Sequence, residues 1–271
     1  MADFLLPDLT TIAFCWRLER RDGVALGFTT HDRDLEIGGL AYRAVPGMLP
    51  SAIGLSDGFD PDSLDVAGAL TSNAISERDL MAGRWDGSAV SIFMVDWTSP
   101  DGEREPLARG VLGDVSVTGN RFSAELRGAT ALLDRPVVEQ TSPECRAELG
   151  DKRCRVDMAP RVRTTRIVAL VDEAVFEVGD AAAGNAYAYG RLRWIGGANS
   201  GLESAVLGSA GTRLTLREPA PFEPAVGDLV EISEGCGKSF ATCIARFANA
   251  ANFRGEPHLP GMDLLTRYPG A

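Results

Sequence analysis

The sequence has no long apolar run and no targeting segment. No window reaches ~18 uninterrupted apolar residues, so no membrane-spanning helix is expected. Residues 1–8 lack a basic start followed by a long apolar stretch, which argues against a secretory signal peptide. We therefore expect the chain to be made and folded in the cytoplasm, where thiols stay reduced.

Positive charge is scarce as well. The chain has 27 Lys and Arg against 38 Asp and Glu among its 271 residues, which gives a formal net charge of −11. A protein that holds the phosphate backbone normally carries a clustered excess of basic side chains. Specific nucleic-acid binding is therefore not expected. An acidic surface does suit the wall of a channel through which DNA passes, because like charges repel.

The sequence is also poor in catalytic features. It contains no phosphate loop, no HExxH and no dinucleotide fingerprint. The two histidines, His31 and His258, stand in a polar turn between strands and in a proline-flanked loop, where hydrogen bonding is expected rather than catalysis. We therefore expect a protein that is not an enzyme.

Glycine, in contrast, is abundant, and short alternating segments dominate the first half of the chain. The 30 glycines favour many short strands joined by tight turns. Residues 12–18 and 24–29 alternate around Arg21-Asp22-Gly23, which predicts a β-hairpin. The segment from Ser76 to Gly83 has a capping serine, an acid three residues later and a closing glycine, which predicts a short helix.

The second half repeats the strand pattern. Between Arg166 and Ser233 six short apolar segments are separated by glycine-rich turns, and a small closed or half-closed barrel would bury them. The fold class predicted is mainly β with few short helices: a β-barrel-like N-terminal domain, residues 1–140, and a smaller C-terminal β-barrel domain, residues 141–271, closed by a four-cysteine metal site. Ser142-Pro143-Glu144 predicts a further short helix ending near Gly150. After Gly235 little regular periodicity is left.

Four of the five cysteines form two local pairs separated by the length of a barrel. Eight residues separate Cys145 from Cys154, and six separate Cys236 from Cys243. Because the ends of a barrel's chain can lie close together, its entry and exit loops can offer four thiolates to one metal centre. Cys15, between Phe14 and Trp16 on a predicted strand, is interpreted as a core residue.

The spacing bears on which metal is bound. Zinc sites favour two to four residues between the cysteines of a pair, because each pair must reach one small ion. The wider spacing here favours an iron–sulfur cluster, whose corners lie further apart. Zinc and buried thiols without a ligand stay open as alternatives.

The C-terminal segment from Gly235 to Gly261, GCGKSFATCIARFANAANFRGEPHLPG, resembles the C-terminal domain of phage and gene-transfer-agent baseplate hub (tail-tip) proteins, related to phage minor tail protein L. The N-terminal half resembles the companion domain of the same family. That likeness is carried by the segments Leu26 to Leu35 (LGFTTHDRDL), Gly68 to Ser72 (GALTS) and Ile75 to Gly83 (ISERDLMAG).

The resemblance implies a structural protein of a virion or gene-transfer-agent tail. It implies a four-iron, four-sulfur (4Fe-4S) cluster with Cys145, Cys154, Cys236 and Cys243 as ligands. It also implies a homotrimer that contacts distal tail or tube proteins on one side and a larger tip or fibre protein on the other, with DNA passing through the lumen. The alternatives are an iron–sulfur oxidoreductase and a zinc-stapled binding module.

Overall fold

The structure, a computed structural model, describes residues 11–44, 49–50, 63–69, 75–118, 121–128, 138–182 and 184–259. Contacts within the chain divide it into two compact units, Met1–Pro136 and Val137–Ala271. Both are built mainly from strands, in agreement with the predicted class.

The first unit contains nine strands and one short helix among its described residues. The strands are β1 (Ile12–Glu19), β2 (Ala25–Thr29), β3 (Leu35–Ile37), β4 (Leu40–Ala44), β5 (Leu49–Pro50), β6 (Ser63–Ala69), β7 (Ala89–Asp96), β8 (Arg104–Thr118) and β9 (Arg121–Arg127). The helix α1 spans Glu77–Met81, and the Ser76 side chain accepts a hydrogen bond from the Asp79 N–H at its start. The predicted hairpin around Gly23 and this capped helix are confirmed.

The nine strands form one sheet in the order β3-β4-β2-β1-β7-β8-β9-β6-β5. Neighbours are antiparallel except β2 and β4, which are parallel. Among the described residues no pairing joins the end strands β3 and β5, so the prediction of a barrel-like N-terminal domain is corrected to a sheet. Alternation along a strand predicts which face is buried, but closure depends on hydrogen bonds between the first and last strands, which alternation does not encode.

This sheet packs apolar side chains on both faces. In β1 the side chains of Trp16 and Leu18 join one buried cluster, whereas those of Ala13 and Cys15 join another. Successive side chains of a strand point to opposite faces, so one strand contributes to two clusters. Cys15 is fully buried, which confirms its interpretation as a core residue, and burial raises the pKa of its thiol.

The second unit contains five strands whose pairing closes into a ring, with β10 bonded to both β11 and β14. Register shifts interrupt the β10–β11 and β11–β13 ladders, so this barrel is irregular. Its interior is filled by large side chains such as Phe176 and Trp194. The strands are β10 (Val162–Asp172), β11 (Val175–Ala182), β12 (Arg191–Trp194), β13 (Glu203–Leu216) and β14 (Leu229–Ser233).

Two predictions about helices in this unit are wrong. Residues 142–150 form turns and bends, because Ser142 Oγ accepts the Glu144 N–H in a local turn that no helix continues. The segment after Gly235, predicted to be irregular, contains helix α2 (Phe240–Phe247), which begins at an N-cap, Ser239. Short 3₁₀ helices lie at Ala159–Arg161 and Ala250–Asn252. No helix in the described part of the chain is long and apolar enough to cross a membrane.

Candidate metal centre

The two cysteine-bearing segments leave the barrel at the same end. The Cys145/Cys154 segment leads into β10, and the Cys236/Cys243 segment follows β14. These strands are antiparallel neighbours, with Val162 opposite Ser233. The start of one and the end of the other therefore coincide, as the sequence argument required of the barrel's entry and exit.

Backbone hydrogen bonds tie the two segments together. The Cys145 N–H donates to the Lys238 carbonyl at 2.8 Å, and the Arg146 N–H donates to the Arg254 carbonyl at 3.0 Å. The Lys238 ammonium reaches back to the carbonyl of Ala147 at 2.6 Å. The first cysteine pair is thus held against the second by bonds that no local sequence pattern predicts.

A charged clamp reinforces this contact. The Arg146 guanidinium binds both carboxylate oxygens of Glu256, at 2.7 and 2.9 Å. Glu256 also accepts the Ser142 N–H at 2.8 Å, and its own N–H donates to the Ser142 carbonyl. The hydrogen bonds from Arg146 and then from Ser142 lower the pKa of Glu256 to about 2, and the same pair raises the pKa of Arg146.

Three of the cysteine side chains already take part in polar contacts. The Arg254 N–H points at Cys145 Sγ at 3.3 Å, and Asn249 Nδ2 lies 3.7 Å from Cys154 Sγ. The Cys243 thiol donates to the Asn249 carbonyl at 3.3 Å. Hydrogen bonds to cysteine sulfur stabilise thiolate charge and tune thiolate-bound metal centres.

Two local features position the cysteines themselves. Asp151 accepts the backbone N–H of both Cys154 and Arg153, at 2.6 and 2.8 Å, and these bonds, led by that of Cys154, lower the pKa of Asp151. Cys243 is buried on α2, whose first turn is fixed by the Ser239 hydroxyl accepting the Thr242 N–H at 3.1 Å. One cysteine of each pair is therefore positioned by a nearby side chain, Cys154 by Asp151 and Cys243 through the Ser239 N-cap of its helix.

The backbone is strained around these segments. Non-glycine residues with positive φ include Arg155 (62°), Lys238 (60°) and Ala248 (48°), which lie within or just after the segments carrying the cysteines. Such conformations cost about 1–3 kcal/mol each and concentrate at functional sites. Their placement here marks the cysteine end of the barrel as a specialised region.

Burial dominates the electrostatics of Cys243. Burial raises the pKa of the Cys243 thiol, and the charges of Cys145, Cys236 and Cys154 raise it further. None of the cysteines forms a disulfide. Within the described residues, however, no group of three or more His, Cys, Asp or Glu side chains is placed to hold a metal ion. The four-cysteine metal site therefore stays a prediction.

The donor set nevertheless suits the group that the sequence implies. Four cysteine thiolates can be the donors of an iron–sulfur cluster, and N–H groups already point at two of the sulfurs. Sequence reasoning found the cysteines but missed Asn249, Arg254 and Asp151, whose roles depend on contacts across the segments. The available signal was the presence of Asn249 and Arg254 in the segment from Gly235 to Gly261.

The two histidines lie elsewhere. His31 packs against Trp97 with ring centroids 5.1 Å apart, and its Nδ1 is near the backbone of Arg33 and the carboxylate of Asp32. His258 follows Glu256 in the described end of the C-terminal segment. Neither histidine belongs to a metal-binding group among the residues the structure describes.

Two known protein families match the chain. Residues 1–157 match the family described as "Baseplate hub protein, N-terminal attachment domain", and residues 185–263 match the family described as "Phage conserved hypothetical protein BR0599". The chain belongs to the baseplate hub protein family. The first match contains Cys145 and Cys154, and the second contains Cys236 and Cys243.

A solved structure resembles almost the whole of this baseplate hub family member. It is a chain of the "Virion of native gene transfer agent (GTA) particle", 37% identical in sequence, with a TM-score of 0.84 over 98% of this chain and 94% of the other. No curated protein matches the sequence. The two family matches and this solved structure confirm the family resemblance drawn from the sequence.

Proposed function

We propose that the protein is a structural hub of the tail tip or baseplate of a tailed phage or gene transfer agent, joining the tail tube to the tip. The observation that carries this proposal is the likeness to a chain of a gene transfer agent virion over nearly its full length. The family match to a baseplate hub attachment domain supports it independently. In this proposal the protein lies in the particle tail and has no enzymatic role.

The proposed assembly is a ring of three copies, with distal tail or tube proteins on one side and a larger tip or fibre protein on the other. DNA passes through its lumen without specific binding, which the net charge of −11 favours. The expected result is a trimer in solution or in the particle. Analytical ultracentrifugation of the purified protein and reconstruction of the particle measure this number.

The second part of the proposal is a structural 4Fe-4S cluster held by Cys145, Cys154, Cys236 and Cys243. Support comes from the shared end of β10 and β14, the bonds that tie the two segments together, and the N–H groups that face sulfur. When bound, the cluster supplies a covalent cross-link between the entry and exit of the barrel. Ligands that bind only the folded state stabilise it, and this suits a part under mechanical load.

Composition analysis tests the cluster. Protein purified without oxygen is expected to be brown, with iron and acid-labile sulfide in equal amounts, and Cys236→Ser is expected to lose both. Cys15→Ala is the matched control, since Cys15 is buried in the first unit and should leave the iron content unchanged. A colourless protein with stoichiometric zinc would establish the zinc-stapled alternative instead.

Particle assembly tests the hub role. In a producer strain, Cys236→Ser is expected to give particles without functional tips, whereas Cys15→Ala gives normal particles. Electron microscopy and transfer of DNA to recipient cells measure both effects. Loss of an electron-transfer activity with assembly intact would contradict the hub role and favour the oxidoreductase alternative.

A further inference from the structure

A row of paired residues crosses five strands on one face of the N-terminal sheet, and four of them carry polar side chains. Arg17 of β1 stands opposite Gly27 of β2 and Ser91 of β7. Gly27 is in turn opposite Tyr42 of β4, and Ser91 is opposite Arg109 of β8. Residues directly opposite each other on neighbouring strands project from the same face. The row therefore places one arginine on each side of a serine, with a tyrosine at one end.

These side chains line a pocket of about 300 Å³. Arg17, Arg104 and Arg109 contribute three guanidinium groups to its wall, and Phe93 contributes an aromatic surface over which Arg104 lies at 5.7 Å. No Asp or Glu is among the described residues that line it. In a chain with 38 acidic and 27 basic side chains, this is a local reversal of charge.

The tyrosine gives the pocket a fixed wall. A Cβ at Gly27 would lie 2.7 Å from the Tyr42 ring, so the ring lies flat across the strand only because position 27 is glycine. Tyr42 is 1% exposed, so its ring is buried beside the arginines of the pocket. Burial raises the pKa of Tyr42, so the phenol stays neutral at neutral pH.

The arginines are weakly engaged within the chain. Arg17 contacts Glu19 at 3.0 Å and Arg104 contacts Asp101 at 3.8 Å, and all four side chains are at least 40% exposed. Exposed pairs of this kind are strongly screened by solvent. Within the described residues the side chain of Arg109 has no hydrogen bond or ion pair. The pocket therefore offers several N–H donors to an anion from outside.

We propose that this pocket binds the carboxylate of an acidic peptide segment on a partner protein. Guanidinium groups bind carboxylates through paired N–H···O bonds, and Phe93 provides an apolar surface for the aliphatic part of a Glu side chain. Phosphates of DNA would meet the same donors, but a long polyanion is repelled by a chain of net charge −11. A short acidic segment needs to bring only one or two charges within a screening length. The site is independent of the cysteine centre and of the proposed tail role.

Calorimetric titration of the full-length protein tests the proposal. The probe is the peptide acetyl-Gly-Glu-Leu-Glu-Gly-amide, compared with the same peptide carrying Gln for Glu, with inorganic phosphate and with mixed-sequence duplex DNA. The Glu peptide is expected to bind in the calorimeter. In a parallel NMR titration it is expected to shift the Nε–H resonances of the pocket arginines. The double variant Arg17→Gln/Arg109→Gln is expected to weaken binding by about tenfold or more, since charge-assisted hydrogen bonds are lost.

Arg213→Gln is the matched control, because Arg213 is an exposed arginine on β13 of the other unit, and it should leave the affinity unchanged. Both arginines of the double variant are on the surface, so an unchanged melting temperature shows that the fold is intact. Equal binding of the Glu and Gln peptides, or equal affinity of the double variant, overturns the proposal. Tighter binding of phosphate or DNA than of the peptide overturns it in favour of a phosphate site.

Discussion

At the scale of single residues, the cysteine end of the barrel depends on side chains that never touch a metal. Glu256 joins Ser142 and Arg146 to the C-terminal segment, although more than one hundred residues separate these positions. Asn249 connects Cys154 to Cys243 in the same way. The alignment of the two cysteine segments is therefore expected to respond to changes in these partners.

The Glu256 clamp predicts a pH dependence. The pKa of Glu256 is lowered from an ordinary 4.5 to about 2, so its contribution to stability is complete above pH 4.5 and is lost as the pH falls through 2. Glu256→Gln is expected to lower the melting temperature of the metal-free protein at neutral pH, and the difference from wild type should shrink between pH 4.5 and 2. High salt should reduce it, because the pair is partly exposed.

Glu144→Gln is the control for this experiment, since that glutamate is exposed on the same segment and its side chain is outside the clamp. Differential scanning fluorimetry across the pH range measures both variants. A Glu256→Gln difference that is the same at neutral and acid pH would show that the carboxylate charge has no part in the clamp.

At the scale of elements, the segment after β14 passes very close to the loop before β12. A Cβ on Gly235 would lie 2.1 Å from backbone atoms of Ala188 and Gly190, which no side-chain movement can relieve. A Cβ on Gly237 would lie 3.5 Å from the Tyr189 ring, an ordinary contact. These two glycines flank Cys236 but differ in the space around them.

Gly235→Ala is therefore expected to destabilise the protein by about 1–3 kcal/mol or more, as overpacking against a fixed backbone does. Gly237→Ala is expected to change stability by no more than about 0.5 kcal/mol. Urea unfolding of the two variants side by side measures the difference. Equal urea midpoints would mean that the backbone at Gly235 does not approach Ala188 and Gly190 this closely.

Several elements could be predicted from the sequence because their signals are local. The β1–β2 hairpin follows from alternation around Gly23, and α1 follows from the Ser76 cap with Asp79 three residues later. Helix α2 was missed because Ser239 is followed at the equivalent position by Thr242, which does not complete a capping box, and because glycine and asparagine surround it. Ser142 has cap chemistry, yet it closes a turn instead.

The candidate site was only half predictable for the same reason. Cysteine spacing identified the four thiols, and the strand pattern predicted that they would lie at one end of a barrel. The supporting contacts of Asp151, Asn249 and Arg254 were not predictable, because each of these residues depends on where a distant or irregular backbone comes to lie. The prediction that the N-terminal strands close into a barrel failed for a similar reason, since closure depends on pairing between the two end strands of the sheet.

At the scale of the whole molecule, the chain divides into two compact units. Trp85 is buried in the first unit, and the cysteine segments belong to the second. Calorimetry of the full-length, metal-loaded protein is expected to show two unfolding transitions. Trp85→Ala should lower the temperature of one transition, because it destabilises the first unit by about 3–5 kcal/mol. Cys236→Ser should lower the temperature of the other transition. A single transition shifted by both variants would show that the units unfold together.

The meeting of β10 and β14 also sets an order for biogenesis. Half of the thiol set, Cys145 and Cys154, is synthesised before the barrel, and the other half becomes accessible only after β14 has been made. A nascent chain that stops before residue 236 carries only two of the four sulfurs, so the proposed cluster could receive iron and sulfide only after the last strand has been made. Maturation of the centre would then report that the domain has finished folding, before the protein is used in assembly.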